Sequence, residues 1–356
     1  MPQYLSNVKK VMPLSVIRQE DGLKWIAAQH NFKKPRQLAL LERVSCQPSA
    51  IATRYSAVPD FNADSHDEPN LFGVSEPSIS ERLDVYQREV TRAIRLLDLG
   101  EDEPEHILHV TCTGYVSPSP IQVDLSLNHR NQVKTTNLYH MGCYAALPAV
   151  RTAAAISQGE NKVKVVHNEL CTLHFQSSDK KAEQLVIQSL FADGHCSYLV
   201  TNVRPTNRRS FKILAQDEMR VPETLDHMTW KITEKGFCMS LDRKVPEKLG
   251  ECIEGFLNSL AGRASFDRDQ TIFAIHPGGP KIIAGVADSL GLGASQIKHA
   301  EKVLFNYGNM SSVTVPFIWH EILEDETVRP GTKVVSLAFG PGLSLFGSVF
   351  EVCDET

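Results

Sequence analysis

Apolar positions along this chain group into alternating runs of helical and strand character. Residues 23–28 and 38–44 carry helical spacing. Between 79 and 99, Leu83, Tyr86, Val90, Ile94 and Leu97 fall on one helical face, and Gly100 is placed to close that helix. Residues 106–113 form an unbroken apolar run of strand length, followed by a loop over 114–120. A further apolar run leads into Gly142-Cys143, and an Ala-rich amphipathic segment over 145–156 follows at once. That order predicts strand, tight turn, helix, with Cys143 at the helix start. Residues 162–170 read as a strand, 181–191 as a helix and 195–201 as another strand.

A polar, Arg-rich stretch over 202–210 marks a seam and divides the chain into halves at 1–205 and 206–356. Beyond it come the apolar residues 211–214 and an amphipathic helix carrying Val245, Leu249, Cys252, Ile253, Phe256 and Leu260. A short strand at 271–275 runs into His276-Pro-Gly-Gly-Pro280 and a helix through Leu290. A helix at 295–305, another reaching about Leu323, and two strands at 333–339 and 344–352 complete the pattern. Strands alternating with helices predict a layered α/β fold. An internal echo accompanies it: Cys143 and Ser311 each open a helix after a Gly-containing turn, with Pro148 and Pro316 five residues on. Two similar halves facing each other would produce such a match. The polar stretch over 56–77 reads as a surface connection.

Composition narrows the function classes. With 42% apolar and 22% charged residues, a net charge of −5 and no basic cluster, the chain lacks the Lys/Arg stripe of a nucleic-acid binder. No apolar run approaches the length of a membrane span, and residues 1–10 lack the apolar core of a signal peptide. The eight cysteines are scattered singly, without a CxxC pair, so no disulfide framework, metal site or cofactor is expected and a cytoplasmic location is.

Three residues could share one chemistry. A thiol at a helix N-terminus loses its proton more easily, and the thiolate is the nucleophile; this makes Cys143 the candidate. His276 ends a strand before Pro-Gly-Gly, where backbone or ligand can approach closely. Asn309, in Gly308-Asn-Met-Ser-Ser312, opens a helix and could serve as an amide donor. An imidazolium can hold the charge of a thiolate, and His and Asn side chains can supply donors to an oxyanion or enolate. The bland alternatives are a small buried residue for Cys143, a turn histidine for His276 and a helix cap for Asn309. Cys, His and Asn in that chain order also occur in papain-like hydrolases. The local Cys signature of that class is absent, and Cys143 sits mid-chain.

Cys143 in its Gly-Cys-Tyr-Ala-Ala setting, His276-Pro-Gly-Gly-Pro280, Gly308-Asn-Met-Ser-Ser312 and Phe339-Gly-Pro-Gly342 resemble the signature blocks of type III polyketide synthases, the chalcone synthase family, in its bacterial form. The resemblance runs in consistent order from about residue 80 to the C-terminus, with lesser matches at Glu169, residues 190–194 and Gly236-Phe237. It implies a thiolase-like αβαβα fold and a homodimer using an acyl-CoA starter and malonyl-CoA. Cys143 would carry the starter; His276 and Asn309 would stabilise the enolate left by decarboxylation. Phe191 and Phe237 match gatekeepers between a CoA tunnel and the cavity. Substrate contacts are further implied at Cys112, Thr113, Cys171, His174, Met228, Ser311, Gly278, Gly279, Phe339 and Gly340.

The departures from the plant pattern concern the cavity. Bulk at His174 and Met228 implies a reshaped chamber and a pyrone, resorcinol or phloroglucinol rather than a chalcone. Ala338 stands where the plant enzymes have glycine, and Ser117-Pro118 replaces a loop that carries a methionine into the partner's cavity. The basic trio that grips CoA is not evident over 43–54, which leaves delivery by an acyl carrier protein open. A ketosynthase making one condensation on carrier protein and a non-catalytic scaffold are the alternatives.

Overall fold

The computed structural model describes residues 1–61, 70–73, 76–159 and 162–355. Much of the polar 56–77 stretch therefore lies outside the described residues. In chain order the N-terminal half holds β1 (Gln3–Val11), β2 (Ser15–Arg18), α1 (Gln19–Gln29), α2 (Pro35–Val44), β3 (Thr53–Ser56) and α3 (Ile79–Leu97). There follow β4 (His106–Thr111), α4 (Pro120–Leu127), β5 (Lys134–Tyr139), α5 (Ala146–Ile156), β6 (Lys162–Leu170), α6 (Ala182–Leu190) and β7 (Asp193–Thr201). The second half holds β8 (Ser210–Arg220), β9 (Met228–Thr233), β10 (Gly236–Leu241), α7 (Val245–Arg263), β11 (Ile272–Ile275) and α8 (Pro280–Leu290). It ends with α9 (Ala294–Tyr307), α10 (Thr314–Leu323), β12 (Lys333–Gly340) and β13 (Ser344–Cys353).

Nine strands form one mixed sheet in the order β11-β12-β13-β8-β1-β7-β6-β4-β5. β4 runs parallel to β5 and β6, and β11 parallel to β12; β1 pairs antiparallel with both β7 and β8 and so joins the halves. The joining strand was not evident in sequence because its register breaks between Ser6 and Lys9, at a left-handed Asn7, which erases the two-residue alternation. The helix over 79–97 ends earlier than expected. Asp98, not Gly100, takes the left-handed closing position, and Ser78 caps the start by accepting from the Glu81 N–H.

α5 packs on β4, β6 and β7 of its own half and also on β13; α10 packs on β11 of its own half and also on β1 and β7. These are the two helices of the Cys143/Ser311 echo, and each bears its proline buried, Pro148 and Pro316. One apolar core runs through both halves, from Leu5, Val150 and Val163 to Phe273, Ile318 and Val334. A second core lies under α1, α3, α4 and α6, with Ile26, Tyr86, Ile121 and Leu185. Burying these two helices between strands of both halves brings the residues that start them into one region.

Candidate active site

The chain leaves β5 through a turn whose backbone is left-handed at His140 and at Gly142, φ 61° and 93°. Glycine is required at 142 for a second reason: a Cβ there would fall 2.5 Å from Pro341 Cδ. The Gly142 N–H donates to Cys112 Sγ at 2.9 Å. Cys143 emerges from this turn, 8% exposed, just ahead of α5, which carries no side-chain cap.

His276 leaves β11 with its N–H donating to the Leu337 carbonyl on β12 at 2.7 Å, and its own carbonyl accepts from Gly278 at 2.9 Å. Gly279, φ 143°, then admits Pro280 to start α8. Because β11 lies beside β12, and β12 runs out to the Pro341 that abuts Gly142, His276 and Cys143 share one end of the sheet. Asn309 follows a left-handed Gly308 at the end of α9. Its N–H donates to the Leu190 carbonyl at 3.0 Å and its carbonyl accepts from Ala192 at 2.8 Å, an isolated parallel bridge opposite Phe191. The Asn309 Oδ1 accepts from the Ser311 N–H at 2.9 Å, which leaves the amide nitrogen for another partner. That amide and the Ser311 hydroxyl lie near enough to the Cys143 sulfur to favour its thiolate.

Burial opposes the expected charge state. Burial pushes the Cys143 thiol up to about 12, outweighing the Ser311 and Asn309 side chains and its own backbone N–H; the Glu169 carboxyl adds to the rise. Burial likewise holds His276 down at about 3. Both ring nitrogens of His276 lie buried without a hydrogen-bond partner among the described residues, the Cys143 thiol included. Burial of both groups therefore works against the expected thiolate–imidazolium pair in the resting site. A helix N-terminus contributes a fraction of a charge, and loss of solvent around a largely enclosed sulfur outweighs it.

Cys143 opens on a cavity whose wall includes nine of the residues named from sequence: Cys143 itself, Cys112, Thr113, Cys171, His174, Phe191, Met228, Phe237 and Ser311. His276 and Asn309, each 1% exposed, are not on that wall, nor are Gly278, Gly279, Phe339 and Gly340. At Gly340 a Cβ would strike the Tyr144 ring at 2.1 Å, so this glycine serves close packing beside the Cys143 turn. Beneath the wall the buried Glu169 carboxyl accepts from Ser312 Oγ at 2.5 Å, Thr113 Oγ1 at 2.8 Å and the Cys112 N–H at 2.9 Å. This network ties β4, β6 and the start of α10 together under the sulfur.

The same cavity is also lined by Ile17, Trp25, Ile26, Phe61, Phe175 and Ile187, which come from β2, α1, α6 and the segments after β3 and β6. Trp25 packs on Phe61 and Phe175 with ring centroids 4.5 and 4.8 Å apart. Arg54 is the one charged side chain on the wall among the described residues. The sequence reading missed all of these. The helical spacing around Trp25 signalled burial, but nothing local told a cavity wall from a core. Among the described residues no His, Cys, Asp or Glu group is arranged to hold a metal ion, and no helix is long and apolar enough to cross a membrane.

A buried cysteine at a strand-to-helix turn, with an amide near its sulfur and an imidazole at the same sheet end, is compatible with thiol-dependent acyl transfer, and the comparisons with known proteins give the class. Residues 4–203 match the family model for the N-terminal domain of chalcone and stilbene synthases, and residues 212–353 match the model for the C-terminal domain. The chain belongs to this family, and with it to the type III polyketide synthases. It is 33% identical over 277 residues to probable polyketide synthase 1 of Dictyostelium discoideum, covering 74% of this chain but 9% of that protein. It is 31% identical to type III polyketide synthase 21 of Oryza sativa subsp. japonica, covering 95% of this chain and 90% of the relative. The C-terminal type III domain of Steely1, a type I/III hybrid from Dictyostelium, superposes with a TM-score of 0.87 at 26% identity, 99% of each chain covered. A polyketide synthase of the brown alga Ectocarpus siliculosus superposes with a TM-score of 0.88 at 21% identity, again covering 99% of both. The fold is accordingly thiolase-like, as expected.

Proposed function

We propose that this chain extends an acyl thioester with malonyl units by decarboxylative Claisen condensation on Cys143 and then closes a ring. His276, neutral and unpartnered, accepts the Cys143 proton as the sulfur attacks the starter thioester, and returns it to the departing thiol. Loss of CO2 from malonyl thioester breaks one C–C bond and leaves an enolate. The neutral imidazole N–H and the Asn309 amide donate to its oxygen. The carbanion attacks the acyl carbon on Cys143, a C–C bond forms and the thiolate leaves. A largely apolar cavity disfavours the malonyl carboxylate and so favours its loss.

The observation that carries this reading is the Asn309 amide: its oxygen is taken by the Ser311 N–H, and it is close enough to the Cys143 sulfur to favour the thiolate. The apolar lining that Trp25, Ile26, Phe175 and Ile187 contribute supports an aliphatic or aryl starter. A pyrone, resorcinol or phloroglucinol product, thioester substrates without a cofactor, CoA or carrier-protein delivery, and a homodimer all belong to the same proposal. Purified protein given labelled malonyl-CoA and a panel of acyl-CoA starters should release labelled CO2 and form cyclised product. Cys143→Ala should lose starter loading while retaining decarboxylation, and Asn309→Ala should lose decarboxylation at least tenfold. Acyl-CoA turnover without malonyl-CoA and without a new C–C bond would replace this reading with a hydrolase.

A further inference from the structure

Arg54 is a guanidinium buried to 4% exposure in β3, and among the described residues no carboxylate lies within ion-pairing distance of it. Its Nη1 donates to two backbone carbonyls at the end of α6, Gln188 at 2.9 Å and Phe191 at 2.7 Å. Its Nε donates to Gln19 Oε1 at 2.8 Å, and the same Gln19 amide donates to the Ser189 carbonyl at 2.8 Å. Together the two side chains satisfy carbonyls at the helix end that would otherwise be buried unpaired, where a cation also suits the helix dipole.

The aliphatic stem of Arg54 runs the other way, against Gly308. A Cβ at Gly308 would fall 2.9 Å from Arg54 Cγ and 3.0 Å from the Leu190 carbonyl. One side chain thus meets both halves of the Phe191–Asn309 bridge: its fork holds the Phe191 carbonyl and its stem bounds the residue before Asn309. A helix end could be capped from solvent. Here the cap comes from inside, on the cavity wall, with its stem against the glycine that leads into Asn309.

We infer that Arg54 is a positioning residue that sets the Asn309 amide against the Cys143 thioester, and so governs malonyl decarboxylation more than starter loading. This rests on the condensing role proposed above. The fork fixes where β-bridge partner Phe191 lies, the bridge fixes the Asn309 backbone, and the Ser311 N–H fixes the amide's rotation. Starter loading needs Cys143 and His276, whose backbones are held by Gly142, Pro341 and β12, so it responds to this clamp only through the Asn309 amide near the sulfur and less than decarboxylation does.

The test compares two rates in each variant: CO2 release from malonyl-CoA without a starter, and acylation of Cys143 by an acyl-CoA. Arg54→Lys keeps the charge without the fork, and Arg54→Met keeps the stem without the charge. Both should lower kcat for CO2 release at least tenfold, with KM for malonyl-CoA within twofold and acylation within threefold of wild type. Arg54→Lys should retain the larger share of activity. Gly22→Ala supplies an approach that removes no donor: its Cβ would fall 2.7 Å from Arg54 Nη2 on α1, where alanine suits the helix, and displace the fork. It should lower CO2 release severalfold, with acylation falling less, within threefold of wild type. Parallel loss of both rates, in step with a falling unfolding temperature, would make Arg54 a purely structural cap. Unchanged CO2 release in Gly22→Ala and in the folded arginine variants would overturn the inference outright. A wild-type protein that neither loads acyl groups nor releases CO2 would instead overturn the condensing role itself.

Discussion

The imidazole of His174 lies flat against the ring of Phe237, centroids 4.3 Å apart and planes 6° from parallel. Its Nε2 donates to the Thr113 carbonyl at 2.8 Å and its Nδ1 accepts from the Phe237 N–H at 3.1 Å, which fixes the tautomer. Burial holds the ring down at about 3, so it stays neutral across the working range. Trp230 meets it edge-on at 5.7 Å and donates from Nε1 to the Cys112 carbonyl at 2.7 Å. The bulk expected at residue 174 is therefore a hydrogen-bonded wall.

His174→Ala tests what that wall does. Two buried backbone groups would lose their partners, at about 1–3 kcal/mol, and the stacked pair would be lost, at about 0.5–1.5 kcal/mol. A net destabilisation of about 2–4 kcal/mol is expected in urea unfolding. In the surviving folded protein the chamber widens, and mass spectrometry should find products longer by one or more two-carbon units. An unchanged product length would remove His174 from the determinants of chain extension.

Gly142→Ala addresses the Cys143 turn. The left-handed backbone costs an L-residue about 1–2 kcal/mol, and the new Cβ would also collide with Pro341. Because Gly142 N–H holds Cys112 Sγ, any shift of the turn moves the sulfur of Cys143 as well. Acyl transfer to Cys143 should fall at least tenfold, with a lowered unfolding temperature. Gly255→Ala on α7 is the control: its Cβ would meet nothing within 4 Å, and helix propensity favours it by about 0.5–1 kcal/mol.

Cys143, His276 and Asn309 stood out as candidates because each sits beside glycine at the edge of a strongly periodic element, Cys143 after Gly142, Asn309 after Gly308 and His276 before Pro277-Gly278-Gly279. Long buried runs such as Lys162–Leu170 emerged with matching bounds for the same reason. β5 was harder: Lys-Thr-Thr-Asn-Leu-Tyr is a half-exposed edge strand, held by parallel pairing with β4 alone rather than by apolar patterning. The β9–β10 hairpin, half-exposed along most of its length, hid likewise. α4 was missed although Ser119 and Gln122 form a capping box before it, a signal that was present and unused. Arg54 could not be read at all. Its significance lies in carbonyls over 130 residues away and in a glycine at 308, and no local pattern records such contacts.

The protonation state of Cys143 makes the last prediction. Burial raises its thiol from 9.0 to about 12, so the sulfur rests protonated at neutral pH. Below that value the thiolate fraction grows tenfold with each pH unit. Alkylation of Cys143 by iodoacetamide, followed by peptide mass spectrometry, should therefore rise about tenfold per unit between pH 7 and 9 without a plateau. Ser311→Ala removes a hydroxyl that favours the thiolate, so the whole curve should shift to higher pH. Linkage gives the sign for stability: the unfolded thiol ionises first, so this residue's contribution to the fold is present below pH 9 and lost as pH rises from 9 towards 12. A rate that is flat from pH 6 to 9 would mean that the imidazole already holds the proton, and that the sulfur waits as a thiolate before any substrate arrives.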